Sequence, residues 1–296
     1  MVTNHEILTG DCLEIMREMP DNSVDMVLTS PPYEDARTYG IGYNLKGQEW
    51  VDWAVARYAE CDRICSGLVV WVVEGKTRNF RWSATPSLLM ADLHRRGIHL
   101  RKPPVYARVG IPGSGGPDWW RNDYEFCICS SKGKLPWSDN TAMGHAPKCP
   151  PGGKLSYRLP NGDRINNPTK EQLRDLGVTV GGRRSREQDG SRKYNVYVPP
   201  ERSNPGNMIL CKVGGGHMGS QLAHNSEAPF PEKLAEAFIR SFCKPDGVVL
   251  DCFAGSGTTA AVAKRFGRNS ISIDVRDCEN AGQMLITKRL EEVTCE

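Results

Sequence analysis

The sequence lacks the features that mark membrane and secreted proteins. Its main apolar run, residues 68–73 (LVVWVV), is far shorter than the ~20 residues that a helix needs to span a bilayer. The chain opens with MVTNHE, which has neither the basic start nor the apolar stretch of a secretory signal. We therefore expect a cytoplasmic protein that makes no membrane contact.

The eleven cysteines include no Cys-x-x-Cys pair, and none of them directly follows a proline. Cys61 and Cys65 lie four residues apart, and Cys149 has only His145 nearby. Scattered thiols of this kind are typical of free cysteines in a reducing cytosol rather than of metal ligands. We predict no metal site.

The chain instead alternates strand and helix patterns. With 296 residues, 39% of them apolar, it can form one large α/β domain or such a domain with an insertion. Short apolar runs predict strands at 6–8, 24–28, 68–73, 105–109, 124–129, 248–250 and 270–273. Helical spacing predicts helices at 12–18, 50–64, 86–96, 260–266 and 277–292, and one that ends at Cys243.

Three local features carry further expectations. Gly67 should end the helix that precedes strand 68–73. Strands 105–109 and 124–129 should form an antiparallel pair. The loop between them ends in Trp119 and Trp120, which we expect to cover an edge of the core, with a role beside the substrate as the weaker alternative.

Residues 133–204 differ from the rest of the chain in composition. Regular periodicity fades there, Pro and Gly become frequent, and Asn161-Gly162 predicts a hairpin turn. Residues 145–202 carry 12 Lys and Arg against 6 Asp and Glu, although the net charge of the whole chain is only +3. We therefore divide the chain into two halves of one domain, 1–132 and 205–296, with a basic insertion at 133–204.

The stretch Thr29-Ser30-Pro31-Pro32-Tyr33 combines a strand end, a rigid turn and an aromatic ring. The two prolines stiffen the backbone and have no N–H, so the turn presents only carbonyl oxygens beside the hydroxyl of Ser30. Acceptors of this kind, followed by an aromatic face, suit a flat ring that carries an NH2 group. Taken alone, the same residues could equally be an ordinary loop turn.

Two groups of residues could contact a nucleic acid around that turn. The polar segment 34–47, with Arg37 and Tyr39, could close over a substrate as a loop. A charge run is usually a solvated surface loop, but beside a base-binding turn it is better interpreted as a phosphate-contacting surface. The densest basic cluster of the insertion consists of Arg183, Arg184, Arg186, Arg192 and Lys193.

A second motif lies near the other end of the chain, where a predicted strand runs into the glycine-rich stretch 251–260 (DCFAGSGTTA). Gly255-x-Gly257-x-x-Ala260 fits the dinucleotide-binding fingerprint. Asp274, at the end of the next predicted strand, could hold two ribose hydroxyls. Taken alone, this pattern would indicate NAD.

Three features argue against NAD. Asp251 and Phe253 give the loop a polar and an aromatic wall. Thr258 and Thr259 place hydroxyls at a helix N-terminus, where a carboxylate would bind well. No second mononucleotide-binding unit follows the first.

Together, the stretch 251–259 and Ser30-Pro31-Pro32-Tyr33 resemble the cofactor and catalytic motifs of DNA amino-methyltransferases that use S-adenosyl-L-methionine (AdoMet). Their order along the chain resembles the circularly permuted β group of that family. The resemblance implies an α/β, Rossmann-like, AdoMet-dependent methyltransferase fold, circularly permuted, with an inserted target-recognition region. Joining strand 270–273 to strand 6–8 would continue the strand–helix series and bring both motifs to the same edge of one parallel sheet.

The resemblance also assigns roles, with AdoMet as cofactor and double-stranded DNA as substrate. The glycine-rich loop would wrap the methionine part of AdoMet, Asp274 would bind its ribose and Asp11 its adenine, and the segment around Phe230 would close the far side. The implied catalytic residues are Ser30, Pro31, Pro32 and Tyr33. The implied cofactor residues are Asp11, Thr29, Phe230, Asp251, Phe253, Ala254, Gly255, Ser256, Gly257, Thr258, Thr259 and Asp274.

The expected reaction is direct methyl transfer to an exocyclic amine. Ser30 Oγ and the Pro31 carbonyl would accept the two amine hydrogens, so that the nitrogen lone pair can point at the methyl group. Methylation at carbon 5 of cytosine resembles a different family, whose cysteine follows a proline, and that dipeptide is missing. The target base would be flipped out of the duplex and stack on Tyr33.

Serine at the first position of the catalytic motif is typical of N4-cytosine enzymes, whereas Asp or Asn usually accompanies N6-adenine. We therefore expect a site-specific N4-cytosine methyltransferase, with N6-adenine as the alternative. An inactive DNA-binding protein, and methylation of RNA or protein, are smaller possibilities. The recognition sequence, the oligomeric state and the existence of a cognate restriction endonuclease as partner stay open.

Overall fold

The computed structural model describes residues 3–35, 44–110, 116–146, 156–159, 161–166, 169–176, 185–186, 192–193, 201–213, 216–225, 229–277 and 281–295. The chain forms two compact units. The sheet unit comprises Met1–Met143 with Gly206–Glu296, and the small unit comprises Gly144–Pro205.

Most of the regular structure belongs to the sheet unit. The strands are β1 (His5–Thr9), β2 (Val24–Thr29), β3 (Cys65–Val73), β4 (Thr77–Arg78), β5 (Arg81–Trp82), β6 (Leu100–Arg101), β7 (Val105–Val109), β8 (Tyr124–Ser130), β9 (Ser156–Arg158), β10 (Arg164–Asn166), β11 (Ser185–Arg186), β12 (Arg192–Lys193), β13 (Met208–Lys212), β14 (Val248–Asp251) and β15 (Asn269–Asp274). The helices are α1 (Cys12–Glu18), α2 (Gly47–Ile64), α3 (Thr85–Arg95), α4 (Lys170–Asp175), α5 (Glu232–Phe242), α6 (Thr258–Arg265) and α7 (Gln283–Glu291), with a 3-10 turn at Gln221–Asn225.

A nine-stranded sheet forms the centre of the sheet unit, in the order β1-β15-β14-β2-β3-β8-β7-β13, with β6 paired to β8. The first five strands are mutually parallel. β8 is antiparallel to both β3 and β7, so the predicted antiparallel pair is confirmed. β15 and β1 are parallel neighbours in the sheet, an arrangement that is compatible with the expected circularly permuted strand–helix series.

Two hydrophobic cores lie on opposite faces of this sheet, because successive side chains of a strand point to opposite sides. Val69 and Trp71 of β3 pack in a core with side chains of α1, α2 and α3. Val70 and Val72 pack in a second core with α5 and α6. Burial on both faces explains why β3 is an unbroken apolar run in the sequence.

The secondary structure corrects two predicted boundaries. Gly67 does not end a helix but lies inside β3, which begins at Cys65. A Cβ at Gly67 would lie 2.2 Å from the carbonyl oxygen of Asp25 on β2, so glycine permits a close approach of the two backbones. The last helix is shorter than the predicted 277–292, since α7 begins at Gln283. Strand β13 was not predicted.

The small unit contains short elements. β9 and β10 pair antiparallel around Asn161-Gly162, which confirms the predicted hairpin. Gly162 has a φ of 92°, a conformation that favours glycine. Helix α4 begins with a capping box in which Thr169 and Gln172 bond each other's backbone N–H groups. The chain ends of this unit meet at a bridge between His145 and Ser203.

The indole rings of Trp119 and Trp120 are 75% and 85% exposed, so the expectation that they cover a core edge is wrong. Within the described ranges, no group of His, Cys, Asp or Glu could hold a metal ion. The cysteines that the structure describes are free thiols. None of the helices described is long and apolar enough to cross a membrane.

Candidate active site

The two motifs meet at the carboxyl ends of neighbouring parallel strands. β2 ends at Thr29 and β14 ends at Asp251. The Thr29 hydroxyl donates a 2.6 Å hydrogen bond to Asp251 Oδ1, although the two residues are 222 positions apart in the sequence. The predicted meeting of both motifs at one sheet edge is therefore confirmed.

A cavity of about 440 Å³ opens at this edge. Its size lies in the range of small-molecule sites, about 300–1,000 Å³. The predicted site residues that line it are Asp11, Ser30, Pro32, Phe230, Asp251, Phe253, Ala254, Gly255, Ser256, Thr258 and Asp274. The lining does not include Thr29, Pro31, Tyr33, Gly257 or Thr259. It does include Trp53, Arg57 and Arg276, which the sequence reasoning missed.

The glycine-rich loop depends on backbone conformations that favour glycine. Gly255 and Gly257 have φ values of 52° and 74°. Gly257 also precedes the first residue of α6, and a Cβ there would lie 3.0 Å from Ile286 of α7. Gly257 therefore shapes the loop through its backbone and through close packing on α7, without reaching the cavity.

Asp274 holds the loop from the neighbouring strand. Its Oδ2 accepts a 2.8 Å hydrogen bond from the backbone N–H of Gly255. Its Oδ1 accepts from the backbone N–H of Arg276 at 2.9 Å and from the Arg276 guanidinium at 3.1 Å. Arg276 Nη2 also lies 3.4 Å from Oδ2, so the carboxylate is oriented at the cavity wall and a ligand hydroxyl would share its oxygens with these donors.

Asp251 joins both motifs from inside the protein. Its carboxylate accepts hydrogen bonds from Thr29 Oγ1 and Thr259 Oγ1, each 2.6 Å, and from the Phe253 N–H at 3.2 Å. Burial raises the pKa of Asp251 to about 6, because the hydrogen bonds only partly offset the loss of hydration. Thr259 is fully buried by this arrangement, so its hydroxyl serves the loop rather than the cavity.

A buried arginine that the sequence did not reveal supports the loop from behind. Arg289 of α7 is completely buried, and its Nη1 donates to Thr258 Oγ1 at 2.8 Å and to the Ser256 hydroxyl at 3.1 Å. Its Nη2 donates to Glu232 Oε1 of α5 at 2.6 Å. Burial opposes the charge of Glu232, but Arg289 and Arg265 together hold its pKa below the usual value. Helices α5, α6 and α7 are thus tied together beneath the loop.

The turn at residues 30–33, the proposed catalytic turn, is held by three hydrogen bonds to different elements. The Ser30 hydroxyl donates to the Val72 carbonyl at 3.1 Å, so its hydrogen points into the sheet and its lone pairs are available to another donor. Trp50 Nε1 donates to the Pro32 carbonyl at 2.9 Å. The Tyr33 hydroxyl donates to Glu125 Oε2 of β8 at 2.6 Å.

Two carboxyl groups that the sequence reasoning missed lie near this turn. Glu125 pairs with Arg108 at 3.3 Å in addition to Tyr33, and burial raises its pKa. Glu74 follows the last residue of β3, and its Oε1 accepts from Trp82 Nε1 at 3.0 Å. Burial raises the pKa of Glu74 as well, and its Oε2 makes no hydrogen bond within the described ranges. Its position at the carboxyl end of a strand, near which Asp11 and Asp274 also lie, was the available signal for Glu74.

An aromatic wall and an ion pair complete the cavity. The rings of Trp53 and Phe253 lie 5.6 Å apart, and the Arg57 guanidinium lies 4.3 Å from the centre of the Trp53 ring. Arg57 also pairs with Asp11 Oδ2 at 2.8 Å. Asp11 Oδ1 accepts from the N–H of Leu13 and so caps α1. Both Asp11 oxygens are therefore fixed at the cavity wall.

The predicted DNA-contacting residues are only partly described. Arg37, Tyr39, Arg183 and Arg184 lie outside the described residues. Arg186, Arg192 and Lys193 belong to the short antiparallel pair β11–β12 of the small unit, in which Arg186 is opposite Arg192. Their contact with DNA stays a prediction.

The sequence pattern of the DNA methylase family that comprises N6- and N4-methylating enzymes matches residues 24–280 of the chain. The chain therefore belongs to this DNA methylase family. The match includes both motifs and the residues between them.

The chain is similar to characterised relatives over most of its length. It is 29% identical to the orphan methyltransferase M.BamHII of Bacillus amyloliquefaciens, over 92% of this chain and 94% of that protein. It is 27% identical to the type II methyltransferase M.PvuII of Proteus hauseri, over 93% of this chain and 81% of that protein.

Solved structures share the fold. The structure of the PvuII DNA methyltransferase, described as cytosine-N4-specific, superposes with a TM-score of 0.63 at 21% identity, over 99% of this chain and 93% of the other. A DNA modification methylase of Thermus thermophilus, solved in complex with AdoMet, has a TM-score of 0.55 at 20% identity, over 98% of this chain and 96% of the other. The fold is thus the α/β fold of methyltransferases.

Proposed function

We propose that this DNA methylase transfers a methyl group from AdoMet to the exocyclic N4 of cytosine in duplex DNA. The observation that carries the proposal is the orientation of the Ser30 hydroxyl. Its hydrogen is committed to the Val72 carbonyl, so the oxygen can act only as an acceptor toward the cavity that the glycine-rich loop also lines. The exocyclic amine of a target base donates hydrogen bonds, so it requires an acceptor of this kind beside the cofactor loop.

AdoMet is the cofactor, and the residues of the cavity fit it. The lining offers an aromatic wall at Phe253, the oriented carboxylates of Asp274 and Asp11, and the N-terminal turn of α6 at Thr258. Asp274 would bind the ribose hydroxyls, Asp11 the adenine amino group, and the start of α6 the methionine carboxylate. When bound, AdoMet supplies an electrophilic methyl group.

The turn residues make the target amine nucleophilic by orienting it. Ser30 Oγ accepts one amine hydrogen and the Pro31 carbonyl accepts the other, which frees the nitrogen lone pair from the ring and directs it toward the glycine-rich loop. Trp50 fixes the turn by binding the Pro32 carbonyl, so the acceptors need little reorganisation. No enzyme nucleophile is needed, and the excess proton leaves after transfer.

The target base has to leave the duplex to reach this turn. Tyr33 is the proposed stacking platform, and its hydroxyl bond to Glu125 fixes the orientation of the ring. The small unit, with its basic cluster, is the proposed recognition region that contacts DNA phosphates. Cytosine is favoured by Ser30 at the first motif position and by similarity to M.PvuII, whose structure is described as cytosine-N4-specific.

N6-adenine is the second candidate, because the family comprises both N4- and N6-methylating enzymes. The test is methyl transfer from labelled AdoMet to duplex DNA of mixed sequence, followed by nucleoside digestion and mass analysis. N4-methylcytosine is the expected product. N6-methyladenine would overturn the choice of base but keep the enzyme class.

Two further outcomes separate the remaining alternatives. AdoMet binding without label in DNA would direct the search to RNA or protein substrates. DNA binding without AdoMet binding would indicate an inactive DNA-binding protein. The Ser30→Ala variant serves as the control for contaminating methyltransferases, since a product that persists at the same rate in that variant does not arise at this site.

A further inference from the structure

A strained aromatic residue occupies the tip of the short hairpin that follows β3. β4 and β5 pair around Asn79 and Phe80, whose φ values are 48° and 63°. Positive φ at both central residues is the signature of a type I′ turn, which favours Asn followed by Gly. A bulky side chain in this conformation is strained. The Phe80 ring is nevertheless 78% exposed, so burial within the chain does not compensate for the strain.

The residues around the tip are cationic. Arg78 and Arg81 flank the turn directly, and Lys76 precedes the hairpin. Arg78 and Arg81 are exposed. An apolar ring between exposed guanidinium groups suits a partner that offers both phosphates and stacked bases.

The base of the hairpin is fixed to the catalytic turn. The Lys76 N–H donates to Glu34 Oε1 at 3.0 Å, and Lys76 Nζ pairs with Asp35 at 2.9 Å. Arg78 pairs with the same Asp35 carboxylate. Glu34 and Asp35 directly follow Tyr33, so these contacts tie the base of the hairpin to the segment next to the proposed base platform.

The distance from the base of the hairpin to its tip is comparable to the width of the DNA major groove. Phe80 lies four positions after Lys76, and an extended chain rises at most ~3.4 Å per residue, so the tip lies within about 14 Å of its anchor. The major groove of DNA is about 12 Å wide. A ring at this distance from the catalytic turn can enter the stack while the extruded base occupies the turn.

We propose that Phe80 is a wedge that enters the base stack and fills the space left by the base presented to Ser30, while Arg81 contacts a flanking phosphate and Arg78 holds the hairpin on Asp35. This proposal rests on the proposed function. Apolar side chains inserted between base steps unstack them, and filling the gap stabilises the extruded state of the target. The strain at Phe80 is retained because the ring acts on DNA rather than on the protein core.

The test compares two DNA substrates that carry the sequence methylated by the wild-type enzyme. One is fully paired, and the other has a mismatch opposite the target base, which removes most of the cost of extrusion. The variants are Phe80→Gly, which suits the positive φ and preserves the turn, Phe80→Leu, which keeps an apolar wedge, and Met208→Ala. Met208 is a 64% exposed apolar control at the start of β13, the opposite end of the sheet from the carboxyl ends that carry the site.

The Phe80→Gly variant should lose at least ~10-fold in kcat/KM on paired DNA but less than ~3-fold on mismatched DNA. Phe80→Leu and Met208→Ala should stay near wild type on both, and AdoMet affinity should be unchanged throughout. Equal losses on both substrates, or no loss on paired DNA, would overturn the wedge. If activity on paired DNA is not lost, the exposed tip is better explained as a contact surface for another protein. A wild-type enzyme that methylates no DNA would overturn the proposed function and the wedge with it.

Discussion

The glycine-rich loop and the catalytic turn lie at the same sheet edge but are built differently. The loop is bound from several sides by groups of the protein: Asp274 holds Gly255, Asp251 holds Phe253, and Arg289 holds Ser256 and Thr258. The catalytic turn is fixed from its inner side, where Ser30 donates inward and Trp50 binds Pro32. The protein's own groups thus hold the loop on several sides, whereas in the proposed reaction the turn offers Ser30 Oγ as an acceptor to the substrate.

The residues that stabilise the fold at this sheet edge are therefore different from those proposed to act on the substrate. Groups behind the loop should affect folding, groups on its surface should affect cofactor affinity, and Ser30 should affect turnover. Four variants test this division of roles, beginning with the one for which we expect the greatest loss.

Arg289→Met should have the largest effect, because it removes one partner of a buried ion pair and leaves Glu232 without its closest cation. Breaking a pair of this kind typically lowers the free energy of unfolding by ~3–5 kcal/mol. The measurement is urea denaturation. The matched control is Arg95→Met, which removes an exposed i,i+3 pair with Asp92 and should cost less than about 1 kcal/mol. Similar losses in both variants would show that the loop does not depend on its buried support.

Ser30→Ala should lower kcat by ~10²–10³-fold, equivalent to about 2.7–4 kcal/mol, since one oriented hydrogen-bonding group is lost in the transition state. AdoMet affinity should change little, because the loop is unaltered. Steady-state kinetics and calorimetric titration measure the two quantities. Ser66→Ala is the control: the Ser66 hydroxyl also donates to a strand carbonyl, that of Val24, at the other end of the sheet. An equal effect of both variants would deny Ser30 a catalytic role.

Asp251→Asn tests the junction between the two regions through pH. The folded-state pKa of Asp251 is raised from 3.8 to about 6, so its contribution to stability is complete below about pH 4 and is lost as the pH rises through 6. The loss is on the order of 3 kcal/mol. Unfolding free energies measured from pH 4.5 to 7.5 should fall less steeply in the variant than in wild type. Parallel curves would mean that Asp251 titrates normally.

Asp274→Ala should weaken AdoMet binding by ~10–100-fold, because a hydrogen bond to a charged group contributes about 1.5–3 kcal/mol. The value of kcat at saturating AdoMet should fall much less. Asp277→Ala, at an exposed position three residues later, is the control for charge alone. Equal losses of affinity and turnover, here and in Ser30→Ala, would contradict the division of roles between loop and turn.

The two motifs, their order and the alternation of strands and helices could be recognised from the amino-acid sequence alone. β3 and β14 contain unbroken apolar runs, β2 is interrupted only by Asp25, and β15 alternates Ser and Ile before Asp274, so all four strands could be predicted from local pattern. The family resemblance added the cofactor and the reaction class. These properties are local or reside in short motifs, which is why no structure was needed to find them.

The side chains that hold the site residues in place were visible only in the tertiary structure. Arg289, Arg57 and Glu125 reach it from elements 33 to 92 residues away from their partners, and no local spacing encodes such contacts. Gly67 could not be assigned to a strand, because its role depends on the backbone of Asp25 across the sheet. The exposure of Trp119 and Phe80 could not be predicted either. A sequence shows that a side chain is apolar, but its burial depends on how the folded chain packs around it.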